Sequence, residues 1–300
     1  MMEVRCVLQA RSALGEGALW CQRDRVLYWL DQMRPELHRF DPASGTDMKI
    51  EIDLPEQLGA ILPRKAGGLV LAASDGISMI DEGLSEKGAY INPIAAVPRA
   101  SFNDAKCDRQ GRLWAGTTDR LETEPIGCLY RIDRGASVAP IADGFICSNG
   151  PSFSPDGRVM YHTRTHDRKI YAYDIHPDTG EATNGRIFAR IEPGTGVPDG
   201  STVDADGFLW STQWGGWRIN RYAPDGRLER VIEMPVKSPT SCAFGGPDMT
   251  TLFVTSASIE FADGGWVYLD EAGFEKSPYA GAIFAIETGI RGLPEPAFRG

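Results

Sequence analysis

The chain lacks paired cysteines, long apolar runs and a surplus of basic residues, and each absence excludes a class of protein. Its 6 cysteines form no C-x-x-C pair, which favours reduced thiols in a cytoplasmic protein. No window approaches the roughly 18 consecutive apolar residues of a membrane span, and the N-terminus has no signal-peptide pattern. With 41 acidic against 31 basic residues the net charge is −10, which disfavours a nucleic-acid partner. We therefore expect a cytoplasmic protein that binds a small molecule rather than nucleic acid or a membrane, with its oligomeric state left open.

The common catalytic motifs are also absent. The sequence contains no G-x-S-x-G, no H-E-x-x-H and no phosphate-binding G-x-x-x-x-G-K-[ST]. Histidine is scarce, with 4 copies in the chain. His162 and His166 stand four positions apart, and on a strand this spacing separates two side chains by roughly 13 Å. We therefore predict no metal site at this pair unless a turn intervenes.

What the chain does contain is a repeated phrase: an acidic or polar turn, a glycine, and an alternating apolar strand that ends in an aromatic residue. Its clearest copies are 108–114, 154–161 and 204–210, and weaker copies begin near residues 22, 64 and 246. Asp-Gly before an alternating run is a hairpin signal, because the turn needs positive φ. A second alternating phrase follows each copy. Measured at residues 25, 67, 111, 157, 207 and 250, the phrase recurs every 42 to 50 residues.

Six units of this length, each with three or four short strands, predict an all-β fold, a six-bladed β-propeller. No stretch of 12 residues has helical periodicity. The competing fold is a pair of β-sandwiches, but sandwiches do not predict so regular a repeat. We therefore predict a single propeller domain over residues 1–300.

In a propeller the inner strands converge on a central channel, so polar residues ahead of each phrase can meet there. Three of them are lone oxygen-bearing side chains against glycine: Glu16, Asn149 and Asp199. Two carboxylates and an amide oxygen suit Ca²⁺, Mg²⁺ or Mn²⁺, with Zn²⁺ also open. The alternative is that Asn-Gly and Asp-Gly are simply turn dipeptides. The WGGW segment at 214–217 is predicted to be a loop at the channel mouth that could line a pocket.

The chain resembles the SMP-30/regucalcin/gluconolactonase family of six-bladed propellers over nearly its whole length. The motifs that carry the resemblance are LGEGALW at 14–20, FNDAKCDRQGRLWAGT at 102–117, SNG at 148–150 with SPDG at 154–157, PDG at 198–200 and TSCAFGG at 240–246. The resemblance implies a metal-dependent sugar lactonase with one divalent cation in the central channel. Glu16, Asn149 and Asp199 would hold the cation, and Asn103 would contact the substrate.

Two departures from the family pattern concern the substrate pocket. Ser101 stands where many members have an arginine that binds sugar hydroxyls, and Arg164 stands where relatives commonly have an aspartate. If both side chains face the channel, the guanidinium has moved to a new side of the pocket. The alternative is that Arg164 faces solvent or pairs with Asp167. The pocket glutamate of the family corresponds to Glu122 or Glu124. The expected substrate contacts are therefore Asn103, Ser101, Glu122 and Arg164.

The resulting hypothesis is metal-dependent hydrolysis of an aldonolactone to its acid. The cation would polarise the lactone carbonyl and lower the pKa of a water, and Asp199 would take the proton of that water. A second hypothesis is a calcium- or sugar-binding regulatory propeller without turnover. A third is hydrolysis of another ester, which rests on fold analogy.

Overall fold

The computed structural model describes residues 2–262 and 265–300, and nearly all of their regular structure is β. Within these ranges, six four-stranded antiparallel sheets form the blades, and a two-stranded hairpin stands apart from them. The predicted all-β, six-bladed propeller is confirmed. The regular structure also includes α1 (Glu271–Lys276), a helix of 6 residues. No helix within the described ranges has the length and apolar character needed to cross a membrane.

The first three blades follow one another along the chain, each built from four consecutive strands. After the N-terminal strand β1 (Val4–Leu8), the strands of blades 1 to 3 are β2 (Gly15–Cys21), β3 (Val26–Asp31), β4 (Glu36–Asp41), β5 (Thr46–Lys49); β6 (Leu58–Pro63), β7 (Leu69–Ala73), β8 (Gly76–Ile80), β9 (Lys87–Ile91); and β10 (Ala100–Cys107), β11 (Leu113–Asp119), β12 (Gly127–Ile132), β13 (Val138–Phe145).

Blades 4 and 5 repeat this arrangement, and blade 6 departs from it. Their strands are β14 (Ser148–Phe153), β15 (Val159–Arg164), β16 (Lys169–Ile175), β17 (Ala182–Arg190); β18 (Val197–Val203), β19 (Leu209–Trp214), β20 (Arg218–Tyr222), β21 (Leu228–Glu233); and β22 (Pro239–Gly245), β23 (Thr251–Ser256), β26 (Ile283–Glu287). The hairpin of β24 (Ile259–Ala262) and β25 (Gly265–Tyr268) is inserted between the second and third strands of blade 6.

A buried aspartate explains the repeated sequence phrase. Asp108 accepts the indole N–H of Trp114 at 3.1 Å and also the backbone N–H groups of the turn that follows it. Asp204 does the same for the indole of Trp210 at 2.9 Å. Both carboxylates and both indoles are buried. In these two copies an acid at the start of the phrase therefore satisfies both the turn and the aromatic residue at its end.

The ring is closed by the N-terminal strand, which completes blade 6. β1 pairs with β26 in a register that sets Val4 against Ile286, so the two ends of the chain share one sheet. Trp20 of blade 1 stacks on Phe253 of blade 6, with ring centroids 5.2 Å apart. Blades 1 and 6 are therefore held together, because β1 is part of blade 6, the chain continues from it into β2 of blade 1, and Trp20 packs across the junction.

The C-terminal segment 291–299, named here the C-terminal strap, runs across the ends of the inner strands. Its residues hydrogen-bond backbone groups that follow the inner strands of four blades: Gly292 N–Met249 O at 2.7 Å, Ala205 N–Arg291 O at 2.8 Å, Arg299 N–Gly111 O at 3.1 Å and Lys65 N–Phe298 O at 2.9 Å. Phe298 is fully buried. The strap therefore covers the end of the channel opposite the starts of the inner strands.

Candidate metal and substrate site

Each of the three predicted metal ligands lies at an irregularity near the start of an inner strand. The β-pairing register shifts between Glu16 and Leu19, between Asn149 and Ser152, and between Pro198 and Ser201. A bulge of this kind re-aims a side chain that regular alternation would direct elsewhere. Gly17 (φ 60°) and Gly150 (φ 73°) take the left-handed conformation that the first two bulges need. Glycine beside an oxygen-bearing residue was therefore the useful sequence signal.

The three ligand candidates line one cavity of about 230 Å³ at this end of the channel. Asn103 and Glu122 line the same cavity. Glu16, Asn149 and Asp199 are 3 to 6% exposed, so their oxygens lie deep in its wall. The cavity is large enough for a sugar-sized ligand above a cation.

The electrostatics of this cavity favour a cation. Burial raises the pKa of Glu16 well above its usual range, and the charges of Asp199 and Asp104 raise it further. Burial likewise raises the pKa of Asp199, with Asp104 and Glu122 adding to the effect. No lysine or arginine in the described ranges forms an ion pair with Glu16 or Asp199. Buried carboxylates without a counter-charge are costly, and a divalent cation would supply that charge.

The donor set matters to the identity of the site. Within residues 2–262 and 265–300, no three His, Cys, Asp or Glu side chains are grouped so that they could hold a metal ion. The candidate set here is two carboxylates and an amide oxygen, which is an all-oxygen set of the kind that hard cations bind. The residues present therefore fit Ca²⁺, Mg²⁺ or Mn²⁺ better than a metal that prefers sulfur or imidazole.

Asn149 is held in the orientation that a metal ligand needs. Its Nδ2 donates to Thr165 Oγ1 at 2.8 Å, so the opposite end of the amide, Oδ1, is the acceptor. Asn103 Nδ2 donates to this Oδ1 and to the carbonyl of Ser148, both at 3.0 Å. Both N–H donors of Asn103 are therefore in use, and the atom that it can offer a substrate is the acceptor Oδ1.

Asp104 is a buried acid behind the ligands to which the sequence assigned no role. It accepts the backbone N–H groups of Gly150 at 2.9 Å and Ala105 at 2.8 Å, and burial raises its pKa to about 6. The contact with Gly150 fixes the bulge that presents Asn149. This role of Asp104 could not be predicted from a local motif, because the contact joins two blades.

The loop 119–124 brings Glu122 to the cavity, and Asp119 organises that loop. The Asp119 side chain is fully buried and accepts backbone N–H groups from Leu121, Thr123 and Glu124. Burial alone would raise its pKa, but these bonds and the Arg99 guanidinium hold the pKa of Asp119 well below its usual range. Glu122 takes positive φ (51°).

We expect Asp119→Asn to loosen this loop, since asparagine cannot accept all these donors and brings N–H groups of its own. Losing charge-assisted bonds should lower the free energy of unfolding by roughly 2 kcal/mol and raise KM more than it lowers kcat. Chemical denaturation measures the free energy of unfolding. Steady-state kinetics with a lactone that the protein hydrolyses measures KM and kcat. Asp53→Asn, at an exposed position, is the matched control. An Asp119→Asn protein with parental stability and KM would contradict this role.

The structure places two of the predicted substrate contacts, Arg164 and Ser101, outside the wall of this cavity. The Arg164 guanidinium lies over the rings of Phe145 (5.0 Å) and Tyr171 (4.7 Å), with Nη1 4.0 Å from Asp167, and it is not part of the cavity wall. Its cation is therefore stabilised by aromatic faces between strands, as in the alternative that pairs it with Asp167.

Ser101 is also away from the cavity. It is fully buried, and its Oγ donates to the carbonyl of Phe102 at 3.1 Å. The register shift between Phe102 and Asp104 interrupts strand alternation, so Asn103 lines the cavity and Ser101 does not. Of the two candidate glutamates, Glu122 lines the cavity and Glu124 is exposed outside it.

The two histidines that were doubted as a metal pair occupy different environments. His162 is fully buried, and its Nε2 lies 2.8 Å from Ser148 Oγ. Burial lowers the pKa of His162 to about 3, with Arg164 adding to the effect. His166 lines the cavity, and its Nε2 lies 3.2 Å from Glu122 Oε2. His166 is therefore a cavity residue that the sequence did not identify.

An aromatic wall completes the cavity. Trp214, which the WGGW segment placed at the channel mouth, lies 5.9 Å from Trp266 in an edge-to-face arrangement, and both line the cavity. Trp266 belongs to the β24–β25 hairpin, for which the sequence repeat gave no prediction. The cavity thus has a polar side and an aromatic side. A sugar ring, which has hydroxyl groups and an apolar face, fits such a site.

Comparison with known proteins agrees with the predicted resemblance. Residues 14–258 match the family model described as SMP-30/Gluconolactonase/LRE-like region. The chain is 35% identical to 6-deoxy-6-sulfogluconolactonase of Pseudomonas putida, covering 99% of both chains. It is 33% identical to L-arabinolactonase of Azospirillum brasilense, covering 97% of this chain and 93% of the relative.

A solved structure supports the same assignment. The calcium-binding protein regucalcin of Agrobacterium tumefaciens aligns over 100% of this chain and 98% of its own, with a TM-score of 0.91 and 27% identity. The family match, the relatives and the fold coincide over nearly the whole length. The chain therefore belongs to the SMP-30/gluconolactonase/LRE-like family.

Proposed function

We propose that this protein hydrolyses a sugar lactone to the corresponding acid with the help of one divalent cation. The observation that carries the proposal is the buried cluster of Glu16, Asn149 and Asp199, whose carboxylates have no ion-pair partner among the described residues. The relatives named as lactonases support the reaction class. A lactone ring is neutral, so the net charge of the protein does not repel it.

Glu16, Asn149 and Asp199 would hold the cation, which fits their all-oxygen donor set. When bound, a divalent cation would polarise the lactone carbonyl and lower the pKa of a water towards neutrality. Asp199 would accept the proton of the attacking water, since its carboxylate would lie beside the cation that activates that water. Asn103 Oδ1 would accept a hydrogen bond from a sugar hydroxyl.

The polar side of the cavity would orient the sugar. Glu122 and His166 are within hydrogen-bond distance of each other and both line the cavity. A substrate hydroxyl beside this pair would donate to the carboxylate of Glu122. Trp214 offers an apolar ring to the face of the sugar. We also propose a cytoplasmic location, because all 6 cysteines are unpaired.

Ser148 and His162 do not form a competing nucleophile and base pair. Their side chains are 2.8 Å apart, but both are fully buried. Burial also lowers the pKa of His162 to about 3, which removes its value as a base near neutral pH. This supports a reaction through the acidic cluster.

The alternative function is binding of calcium or sugar without turnover. The solved relative described as a calcium-binding protein favours it, and the same three ligands would serve it. The cation could be Ca²⁺, Zn²⁺, Mn²⁺ or Mg²⁺ in either case.

A lactone panel separates the two functions. We expect acid release, measured by pH-stat, from at least one aldonolactone, with loss of activity in EDTA and recovery on adding Ca²⁺, Zn²⁺, Mn²⁺ or Mg²⁺. An aryl ester in the same panel tests general esterase activity. A protein that binds a cation but releases acid from none of the lactones would contradict the proposed reaction and favour the binding function.

A further inference from the structure

A second and larger cavity lies between blades 1 and 2, at the opposite ends of the inner strands from the candidate metal site. Its volume is about 520 Å³. Its wall includes Leu19 on β2 and Pro63 on β6, and the C-terminal strap contributes Pro294 and Glu295. None of the residues that line it lines the metal cavity. It is therefore a separate site on the molecule.

Arg64 brings an unpartnered positive charge to this cavity. Within residues 2–262 and 265–300, its guanidinium makes no hydrogen bond or ion pair, and its Nε is buried. Arginine cannot lose its proton in a protein, so the group stays a charged donor. A buried donor without an acceptor costs about 1–3 kcal/mol, which points to a missing ligand that carries oxygen atoms.

Arg39 adds a second positive charge to the same wall. It comes from β4 of blade 1 and forms no ion pair among the described residues, although its charge acts on the nearby Asp24 and Asp41. Two arginines in one concave site can hold an oxyanion by several charge-assisted hydrogen bonds.

The acids of the cavity have closer partners than Arg39 and Arg64, although the Arg39 charge also acts on Asp24. Asp24 and Glu82 both pair with Arg23, at 2.9 and 2.8 Å. Glu295 accepts the Lys106 ammonium at 2.8 Å. In a protein with a net charge of −10, the charges of Arg39 and Arg64 therefore stand out.

Apolar side chains occupy the rest of the wall. Leu19, Leu69 and Tyr28 are buried at its base, and Leu84 and Pro63 border it. A free inorganic ion would leave these surfaces uncovered. The wall therefore fits a ligand whose body is apolar and whose end is anionic.

We propose that this cavity binds a small organic anion, with its carboxylate or phosphate group on Arg64 and Arg39 and its apolar body against Leu19, Tyr28 and Leu69. The proposal is independent of the lactone reaction, because the two cavities share no residue.

Isothermal titration calorimetry with phenyl phosphate, benzoate and inorganic phosphate tests the site at constant ionic strength. We expect one molecule of phenyl phosphate or benzoate to bind per chain, and the tighter of the two identifies the preferred anionic group. Arg64→Met should weaken that binding by about tenfold or more, because a charge-assisted bond is lost, and Arg39→Met should weaken it as well. Arg227→Met, at an exposed position in blade 5, removes the same charge and should bind like the parent.

Further variants keep the test decisive. If Arg64→Met does not fold, Arg64→Lys replaces it in the test. This variant retains the charge and loses the planar guanidinium, so it should bind the anion more weakly than the parent. Asp199→Asn reports on anions held at the metal site and should leave the binding unchanged. The proposal is overturned if no probe binds saturably, if Arg64→Met binds like the parent, or if Asp199→Asn rather than Arg64→Met loses the binding. Equal affinity for inorganic phosphate and phenyl phosphate would overturn the apolar contact.

Discussion

The Asp199→Asn variant is expected to lose lactone hydrolysis by a factor of about 10³ or more, since removing a general base alone costs roughly 10²–10⁴ and this residue also holds the cation. Asparagine keeps the size of the side chain and one oxygen, but it cannot take a proton from water. The measurement is kcat/KM on the best lactone of the panel at saturating cation. Asp206→Asn, an exposed acid in the same blade, should retain parental activity.

Comparison with Glu16→Gln separates the two roles of Asp199. Both substitutions remove one carboxylate from the cation site, but only the first removes the proposed base. We expect excess cation to restore part of the activity of Glu16→Gln and little of that of Asp199→Asn. Equal recovery of both variants would show that Asp199 acts only as a ligand. Parental kcat/KM in Asp199→Asn would contradict the mechanism altogether.

The repeat was readable in the sequence because its clearest copies satisfy a local requirement within one short segment. Asp108 with Trp114 and Asp204 with Trp210 join a turn to a buried indole within seven residues. Such contacts leave a pattern in the sequence, and six clear or weaker copies of the phrase predict six blades.

The closure of the ring left no such pattern. β1 pairs with β26 across almost the entire chain, at Val4 and Ile286. The C-terminal strap has no alternating pattern either, because it binds through backbone groups and through the buried Phe298. Contacts that depend on the backbone of a distant segment cannot be inferred from side-chain periodicity.

In the candidate site, too, some residues could be predicted from the sequence and others could not. Glu16 and Asn149 were found because the glycine after each has positive φ, which is a local requirement. The environment of Arg164 could not be found, since it depends on the rings of Phe145 and Tyr171 on neighbouring strands. Trp266 reaches the cavity from an inserted hairpin that no repeat predicts.

Removing the divalent cation is expected to lower the melting temperature. A cation that binds only the folded chain stabilises it by about 4 kcal/mol at a thousandfold excess over Kd, which for a chain of this size is roughly 5–10 °C. Glu16, Asn149 and Asp199 belong to blades 1, 4 and 5, so the cation would join parts of the ring that are distant in sequence. Differential scanning calorimetry with EDTA, and then with added Ca²⁺ or Mn²⁺, measures the effect.

The gain in melting temperature on cation binding should become smaller as the pH falls. Burial, together with the neighbouring acids, raises the pKa of Glu16 and of Asp199 in the protein without a cation. In the unfolded chain these carboxyl groups lose their protons at about pH 4. Above that pH the folded chain without a cation binds more protons than the unfolded chain. Its free energy of unfolding therefore rises as the pH falls through the raised pKa values. A cation competes with those protons, so the gain in melting temperature should shrink from pH 8 to pH 5. Glu16→Gln with Asp199→Asn should show almost no gain at any pH. A gain in melting temperature that persists in this double variant would contradict a cation site at these residues.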